Sequence, residues 1–161
     1  MFAFTAYGIY SVFSSGDFSF TLTLGSLVQM FGYLLLALKS YSTGSVSGLS
    51  LNSVKCSTLC LFSRLVSIIF WDGYLPYDAT GDFIYRVAEC ISFGCSALVL
   101  YLMVKKFRLS YNYDLDTFRW YYFAIPAFIF ALLFHPNLNG LFWADVPWTF
   151  ALYLESVAMF P

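Results

Sequence analysis

Long apolar segments, each close to the length of a membrane-spanning helix, dominate this chain. A helix rises about 1.5 Å per residue and needs about 20 apolar residues to cross about 30 Å of hydrocarbon. The segments that approach this length cover residues 18–38, 54–71, 83–104, 118–134 and 141–160. None shows the alternating pattern of an outer-membrane β-barrel strand. The sequence therefore predicts an all-α, polytopic membrane helix bundle with about five transmembrane helices.

The composition argues against an ordinary soluble domain. The chain is 60% hydrophobic and 11% charged, whereas a soluble domain is about 45–50% apolar and about 25% charged. A chain of 161 residues cannot enclose that excess in its own core, because small domains leave much of their surface exposed. Membrane lipid is therefore an expected partner. The net charge of −1 and the lack of a basic stripe predict no nucleic-acid partner.

Residues 1–17 are predicted to form an N-terminal extension, and residues 18–161 one membrane helix-bundle domain. The stretch from Met1 to Phe13 is apolar, but it is too short to span a bilayer and lacks the basic start of a cleaved signal. Basic side chains collect in alternate loops. These are Lys39 and Lys55 in one loop, and Lys105, Lys106, Arg108 and Arg119 in another. The positive-inside rule then places the N-terminus on the lumenal side.

Three charged residues fall at hydrocarbon depth: Arg64, Glu89 and Glu155. Each costs at least about 2.5 kcal/mol unless it is paired or hydrated, so all three are expected to face a shared interior. We expect Arg64 and Glu155 to pair, either as a structural link between helices or as part of a functional site. Charges retained inside a membrane are mostly functional, which favours the second interpretation.

The residues around this pair favour a small anionic ligand. The planar guanidinium of Arg64 can hold a carboxylate through two hydrogen bonds, and Trp148 would form an aromatic wall. Asp145 at the pocket mouth would receive a positive group at the other end of the ligand. Trp148 and Trp143 are also typical of the aromatic belt at a membrane interface, and for Trp143 we prefer that interpretation.

The sequence contains no pattern typical of an enzyme. It has no nucleophile elbow, no HExxH motif, no glycine-rich phosphate loop and no pair of intramembrane aspartates. The cysteines lie far from the single histidine, His135, and are interpreted as small packing residues. They are Cys56, Cys60, Cys90 and Cys95. We therefore predict no catalytic activity, no metal and no cofactor.

Three blocks of sequence resemble a single family. Residues 148–158, WTFALYLESVA, resemble the signature WTF-x-x-YLESVA of the ER lumen protein-retaining (KDEL) receptors. Residues 106–119, KFRLSYNYDLDTFR, are similar to that family's KFKxTYDxxxDTFR loop, and Ile125-Pro126 follows as it does there. Gly48-Leu-Ser, with Arg64 sixteen residues later, matches the Gly-Ile-Ser loop and second-helix arginine of the family.

The resemblance covers about residues 18–161 and implies a SWEET/PQ-loop-like fold of seven helices. This chain would hold about five of them and be incomplete at its C-terminal side. The implied function is a receptor that binds C-terminal KDEL/HDEL-like tetrapeptides of ER lumenal proteins and returns those proteins from Golgi to ER. The implied location is the ER and Golgi membranes, and vesicle coat machinery is a further implied partner.

Carried over by position, the resemblance implies four ligand-binding residues. Arg64 would hold the charged C-terminal end of the peptide, and Asp145 would face its basic first residue. Trp148 would line the pocket, and Glu155 would be the buried carboxylate whose protonation is linked to binding. Two other functions stay open, namely a SWEET/PQ-loop-like transporter of small solutes and an inactive fragment of the receptor.

At four further positions the chain departs from the family pattern. Leu22 and Gln29 stand where the first helix of the family has an arginine and a histidine. Leu65 and Ser67 stand where the second helix has a tyrosine and an aspartate. Without that histidine, any response to pH is expected to depend on Glu155 or another carboxylate.

Overall fold

The computed structural model describes residues 18–71, 79–113, 116, 118–137 and 140–160. Five α-helices account for most of these residues. They are α1 (Phe18–Thr43), α2 (Leu51–Phe70), α3 (Ala79–Tyr101), α4 (Tyr121–Leu133) and α5 (Phe142–Val157). No strand occurs in the described residues. The predicted all-α bundle is therefore confirmed, while the predicted N-terminal extension lies outside the described residues.

Three of the helices are long and apolar enough to cross a membrane. The stretches that meet this condition in the described part of the chain are Leu22–Thr43, Leu51–Phe70 and Asp82–Lys106. The third of them includes a π-helical turn, Leu102–Lys106, which continues α3 beyond Tyr101. Helices α4 and α5 are shorter, with 13 and 16 residues.

Hydrogen bonds from α2 to the residues just before α4 and just after α5 explain why these two helices are shorter than the predicted segments. Before α4, the backbone N–H of Trp120 donates to Asn52 Oδ1 at 3.4 Å. After α5, the carbonyl of Ala158 accepts from Ser53 Oγ at 2.7 Å. Because a helix end needs partners for its free backbone groups, these contacts from the start of α2 help to set where α4 begins and α5 ends.

The helices do not pack in chain order. Helix α3 lies between α1 and α2, while α5 lies between α2 and α4. The order across the bundle is therefore α1, α3, α2, α5, α4. Helices α3, α2 and α5 lie between the two outer helices, with α2 at the centre, so that polar side chains of α1, α3 and α5 can meet those of α2.

Small side chains line the contact of α2 with α4 and α5. Cys56 and Cys60 are 0% and 2% exposed and pack there against Ala127 and Ala151. Small residues let helices approach closely in a bilayer, where contact between packed surfaces is a main source of association. The packing role predicted for the cysteines holds at these two positions, whereas Cys90 is exposed on α3.

The loop after α3 is tied to the start of α2 through Asp116. This carboxylate accepts hydrogen bonds from Ser50 Oγ at 2.9 Å, from the backbone N–H of Asn52 at 3.1 Å and from the hydroxyl of Tyr111. Burial raises the pKa of Asp116, but the hydrogen bonds from Tyr111, Asn52 and Ser50 outweigh it and hold the pKa below its usual value. The Asp116 carboxylate is thus held ionised at the N-terminus of α2, where negative charge is favourable.

Candidate functional site

The charged side chains at membrane depth meet at Arg64, near the middle of α2. Arg64 is 6% exposed. Its Nη1 lies 3.1 Å from Glu89 Oε1 on α3, and its Nη2 is in direct contact with Glu155 Oε2 on α5. The predicted pairing of Arg64 with Glu155 is confirmed, and the structure adds Glu89 to it. We refer to Arg64, Glu89 and Glu155 as the charge cluster.

Helix α1 contributes two uncharged side chains to the charge cluster. Ser26 Oγ donates to Glu89 Oε1 at 2.6 Å. Gln29 Nε2 donates to Glu155 Oε1 at 2.8 Å, and Gln29 Oε1 accepts from Arg64 Nη1 at 3.2 Å. Ser26 and Gln29 share one face of α1, because residues three apart are neighbours on a helix surface. Side chains from three other helices therefore converge on the guanidinium of Arg64.

The two carboxylates of the charge cluster differ in exposure. Glu89 is 0% exposed, and its Oε2 has no hydrogen-bond partner among the described residues. The side chain of Glu155 is 39% exposed. One guanidinium thus faces two carboxylates, and the enclosed carboxylate keeps one oxygen without a hydrogen-bond partner in the described part of the chain. Burying a polar atom without a hydrogen bond is costly.

A cavity of about 470 Å³ lies against the charge cluster. Its polar lining consists of Ser26, Gln29, Arg64, Glu89 and Glu155, and its aromatic lining includes Tyr85 and Trp148. Ligand sites in proteins are concave, mostly apolar and carry a few converging polar groups, with volumes of about 300–1,000 Å³. The cavity therefore has the size and chemistry of a site for a small ligand or a short peptide.

Three of the four predicted ligand-binding residues line this cavity: Arg64, Trp148 and Glu155. The fourth, Asp145, is 1% exposed in the first turn of α5 and is not part of the lining. Trp143 is 78% exposed, as expected for an interfacial tryptophan. Asp145 therefore lies outside the cavity lining, and its role toward a ligand stays a prediction.

The cavity lining also includes Leu22 and Gln29, two positions at which the chain departs from the family pattern. Ser67, another such position, is fully buried, and its hydroxyl donates to the carbonyl of Ala144 at 3.4 Å. Sequence reasoning missed Ser26 and Gln29 as partners of the carboxylates. Their spacing on an apolar helix was the available signal, since it puts two polar groups on one face.

A second cavity, of about 600 Å³, extends from the same layer toward the start of α2. Gln29 and Glu155 line both cavities, while Ser53 and Ser57 line the second one alone. The hydrogen bond between Gln29 and Glu155 therefore lies where the two cavities meet. Within the described ranges, no three His, Cys, Asp or Glu side chains converge as metal ligands.

Comparison with known proteins gives one family. The family model for the ER lumen protein retaining receptor matches residues 45–161. Similar proteins include the ER lumen protein-retaining receptor of Drosophila melanogaster at 29% identity over 138 residues, receptor 2 of Danio rerio at 32% over 140, and receptor A of Arabidopsis thaliana at 31% over 140. The matches cover 85% of this chain and 59–60% of the relatives. The chain thus spans about three fifths of the length of these relatives.

Proposed function

This chain belongs to the ER lumen protein-retaining receptor family, and from that premise we propose that it binds the C-terminal KDEL- or HDEL-like tetrapeptide of ER lumenal proteins. It returns those proteins from the Golgi to the ER by vesicle transport and engages the vesicle coat machinery. It lies in the ER and Golgi membranes with its N-terminus in the lumen. The observation that carries the proposal is the buried guanidinium of Arg64 in the wall of a peptide-sized cavity.

Arg64 is suited to hold the carboxylate at the C-terminal end of the peptide. Its terminal nitrogens already bind carboxylates from two helices, and a guanidinium binds a carboxylate through paired, charge-assisted hydrogen bonds. Glu155 is the more accessible of those two carboxylates. Binding is therefore an exchange, in which the carboxylate of the peptide replaces Glu155 at Arg64 and protonation of Glu155 favours the exchange.

Trp148 and Asp145 act on the rest of the peptide. Trp148 gives the cavity an aromatic wall that shields the ion pair from water, which strengthens the electrostatic attraction. Asp145 lies three residues before Trp148 on α5 and does not line the cavity. It supplies negative charge at that end of the site, toward the basic first residue of the tetrapeptide.

Peptide binding to the purified chain in detergent tests the proposal. A labelled peptide ending in Lys-Asp-Glu-Leu should bind at about pH 5.5–6 and weaken at about pH 7.2, as expected if binding requires a protonated carboxyl group. Arg64→Ala should weaken binding at least about 30-fold, because truncating one partner of a buried charge pair costs about 2–5 kcal/mol. Arg119→Ala, in an exposed loop, should bind as the wild type does.

A peptide of the same sequence with a C-terminal amide is the matched ligand control. It lacks the carboxylate that Arg64 is proposed to hold, so its binding should be lost in the wild type and be insensitive to Arg64→Ala. Equal binding of the acid and the amide would contradict the assignment of Arg64. Absence of peptide binding in a chain that is folded would contradict the receptor function.

A small-solute transporter of the SWEET/PQ-loop type is the second candidate. The observation that favours it is the pair of cavities that meet at Gln29 and Glu155, because a transport pathway needs access to one site from both sides. Uptake of a sugar or amino acid into liposomes that contain the chain, without peptide binding, would favour transport over the receptor function.

A further inference from the structure

Basic side chains at the end of α3 form an exposed surface that the proposed function does not use. Lys105 and Lys106 end the π-helical turn that extends α3, and Arg108 follows it. All three side chains are exposed, and none of them lines either cavity. We refer to Lys105, Lys106 and Arg108 as the basic rim. We propose that the basic rim binds the phosphate headgroup of an anionic phospholipid in the membrane around the protein.

Contacts with α1 and with the loop after it hold the basic rim in place. The Nζ atom of Lys106 lies 4.4 Å from the centre of the Tyr41 ring, in the last turn of α1, and 5.3 Å from the centre of the Phe107 ring. The backbone N–H of Val46 donates to Ser110 Oγ at 3.0 Å. A ring face attracts an ammonium group without using up its three N–H donors. Lys106 is therefore positioned by α1 and still has donors for a ligand.

The positive charge of the basic rim is not neutralised within the described residues. Both ion pairs found there belong to Arg64. Asp116, a carboxylate of the loop after α3, is held by hydrogen bonds at the start of α2. Arg108 donates from Nε to the hydroxyl of Tyr113 at 3.3 Å, which leaves its terminal nitrogens for another acceptor. Two ammonium groups and a guanidinium close together in the chain suit a ligand with several negative oxygens, and a phosphate group is such a ligand.

The apolar surface next to the basic rim indicates a lipid and not a soluble anion. Leu38 on α1 and Tyr101 and Val104 near the end of α3 are between 42% and 58% exposed. Leu109, directly after Arg108, is 103% exposed. Acyl chains can lie along the exposed helix faces, and Leu109 can enter the boundary between headgroups and acyl chains. A soluble anion would gain nothing from these apolar groups.

The membrane supplies anionic headgroups at the side on which the basic rim is expected to lie. Basic side chains just beyond a transmembrane helix bind phosphatidylserine and phosphoinositides of the cytosolic leaflet. The basic loops predict that this end of the bundle is cytosolic. Each basic side chain near the surface strengthens the binding of an anionic lipid about fivefold. An inositol lipid with an added phosphate group should therefore bind more tightly than phosphatidylcholine, whose headgroup has no net charge.

Binding of lipids to the purified chain, measured by native mass spectrometry, tests this inference. We expect the wild type to bind a phosphatidylinositol phosphate at least about 25-fold more tightly than phosphatidylcholine. Lys105→Gln/Lys106→Gln should weaken the binding of the phosphatidylinositol phosphate about 25-fold, because two basic side chains are lost. Equal affinity of the wild type for the two lipids would overturn the inference.

Lys55→Gln/Arg119→Gln is the matched control. It removes the same number of charges from the same end of the bundle, but near the starts of α2 and α4 and outside the basic rim. This variant should bind the phosphatidylinositol phosphate as the wild type does. A loss as large as that in Lys105→Gln/Lys106→Gln would mean that binding depends on overall charge, and it would overturn the assignment to the basic rim.

Leu109→Ser separates a lipid from a soluble anion, and it is expected to fold because the side chain of Leu109 is fully exposed. It should weaken the binding of the phosphatidylinositol phosphate at least about threefold and leave the binding of soluble inositol bisphosphate, which has no acyl chains, unchanged. Unchanged lipid binding in this variant, or inositol bisphosphate that binds the wild type as tightly as the lipid does, would overturn the assignment to a membrane lipid. Because the basic rim lies outside both cavity linings, these outcomes do not depend on whether the chain binds a peptide.

Discussion

Arg64 is held by side chains from three other helices, so its substitution should affect the whole charge cluster. Its removal leaves Glu89 and Glu155 without their shared cation, and Glu89 is fully buried. Breaking a buried ion pair from one side is far more costly than exchanging the pair for neutral groups, because the remaining charge is uncompensated. The contribution of Arg64 to stability is therefore a property of the cluster and not of one contact.

We predict that Arg64→Leu lowers the free energy of unfolding by about 3–5 kcal/mol. The double variant Arg64→Leu/Glu89→Gln should be more stable than Arg64→Leu alone, since it no longer buries an unpaired carboxylate. Denaturant unfolding in detergent measures both. If the double variant is as unstable as the single one, the loss comes from packing around Arg64 and not from charge.

At the scale of residues, the sequence predicted the arrangement of the charged side chains, because a charge is costly in hydrocarbon. The cost of a charge in hydrocarbon predicted that Arg64, Glu89 and Glu155 share an interior, and their contacts confirm it. The spacing of Ser26 and Gln29 marks a polar face of α1, but it does not identify their partners. Their contacts depend on how α1 is rotated against α3, which one sequence does not specify.

At the scale of elements, the turn before α2 depends on a backbone conformation that favours glycine. Gly48 has φ of +85°, and a Cβ atom at this position would meet nothing within 4 Å. The cost of a side chain there is therefore conformational and not steric crowding. Gly94, inside α3, also has open space around it, but it has no positive φ.

These two glycines make a matched pair for mutation. Gly48→Ala should lower the free energy of unfolding by about 1–2 kcal/mol, the cost of a left-handed conformation for an L-residue. Gly94→Ala should be neutral or stabilising by up to about 1 kcal/mol, because alanine favours a helix interior. Thermal unfolding of both variants gives the comparison. Equal destabilisation by the two would contradict a conformational cause at Gly48.

The tie between Asp116 and the start of α2 should make stability depend on pH. Asp116 has a folded pKa below its usual value, so its contribution is present above the unfolded pKa of about 3.9 and is lost as pH falls through the lower, folded value. Asp116→Asn should cost about 1 kcal/mol at neutral pH, as does the loss of a helix cap. Its melting temperature should converge with that of the wild type in strong acid, and an unchanged difference there would contradict this account.

The apolar pattern predicted that α2 and α5 exist, but it did not predict their first and last residues. Helix α2 begins at Leu51, three residues before the predicted segment, because Ser50 Oγ accepts from the backbone N–H of Ser53 at 3.0 Å. Helix α5 ends at Val157, where Ser53 contacts the following carbonyl. Apolar periodicity identifies the middle of a helix, whereas caps and tertiary hydrogen bonds decide its ends.

At the scale of the whole molecule, the outer faces of the helices are strongly apolar. Val28, Phe31, Leu35 and Leu38 on α1 and Phe83 on α3 are each at least 49% exposed. Apolar patches of this kind are unusual on a soluble monomer and suit a lipid surface. The apolar composition predicted a lipid environment, but it did not predict that α3 packs between α1 and α2.

The basic residues in alternate loops predict that the N-terminus of the bundle lies in the lumen. An N-glycosylation acceptor tag on a flexible spacer ahead of Met1 should be modified when the chain is inserted into ER membranes. The same tag inserted after Tyr113, in the loop that follows Lys105 and Lys106, should stay unmodified, because the positive-inside rule makes that loop cytosolic. The reverse pattern would place the cavity next to the charge cluster on the wrong side for lumenal peptides.

The ion pairs that link α2 to α3 and α5 form late during synthesis of the chain. A chain enters the membrane as it is synthesised, and Arg64 emerges 25 residues before Glu89 and 91 residues before Glu155. During that interval Arg64 can already contact Gln29 of α1, which is made 35 residues earlier. Arg64 therefore enters the bilayer or the membrane-insertion machinery before Glu89 and Glu155 are made. Slower translation between α2 and α5 therefore lengthens the time before Arg64 can form its ion pairs with Glu89 and Glu155.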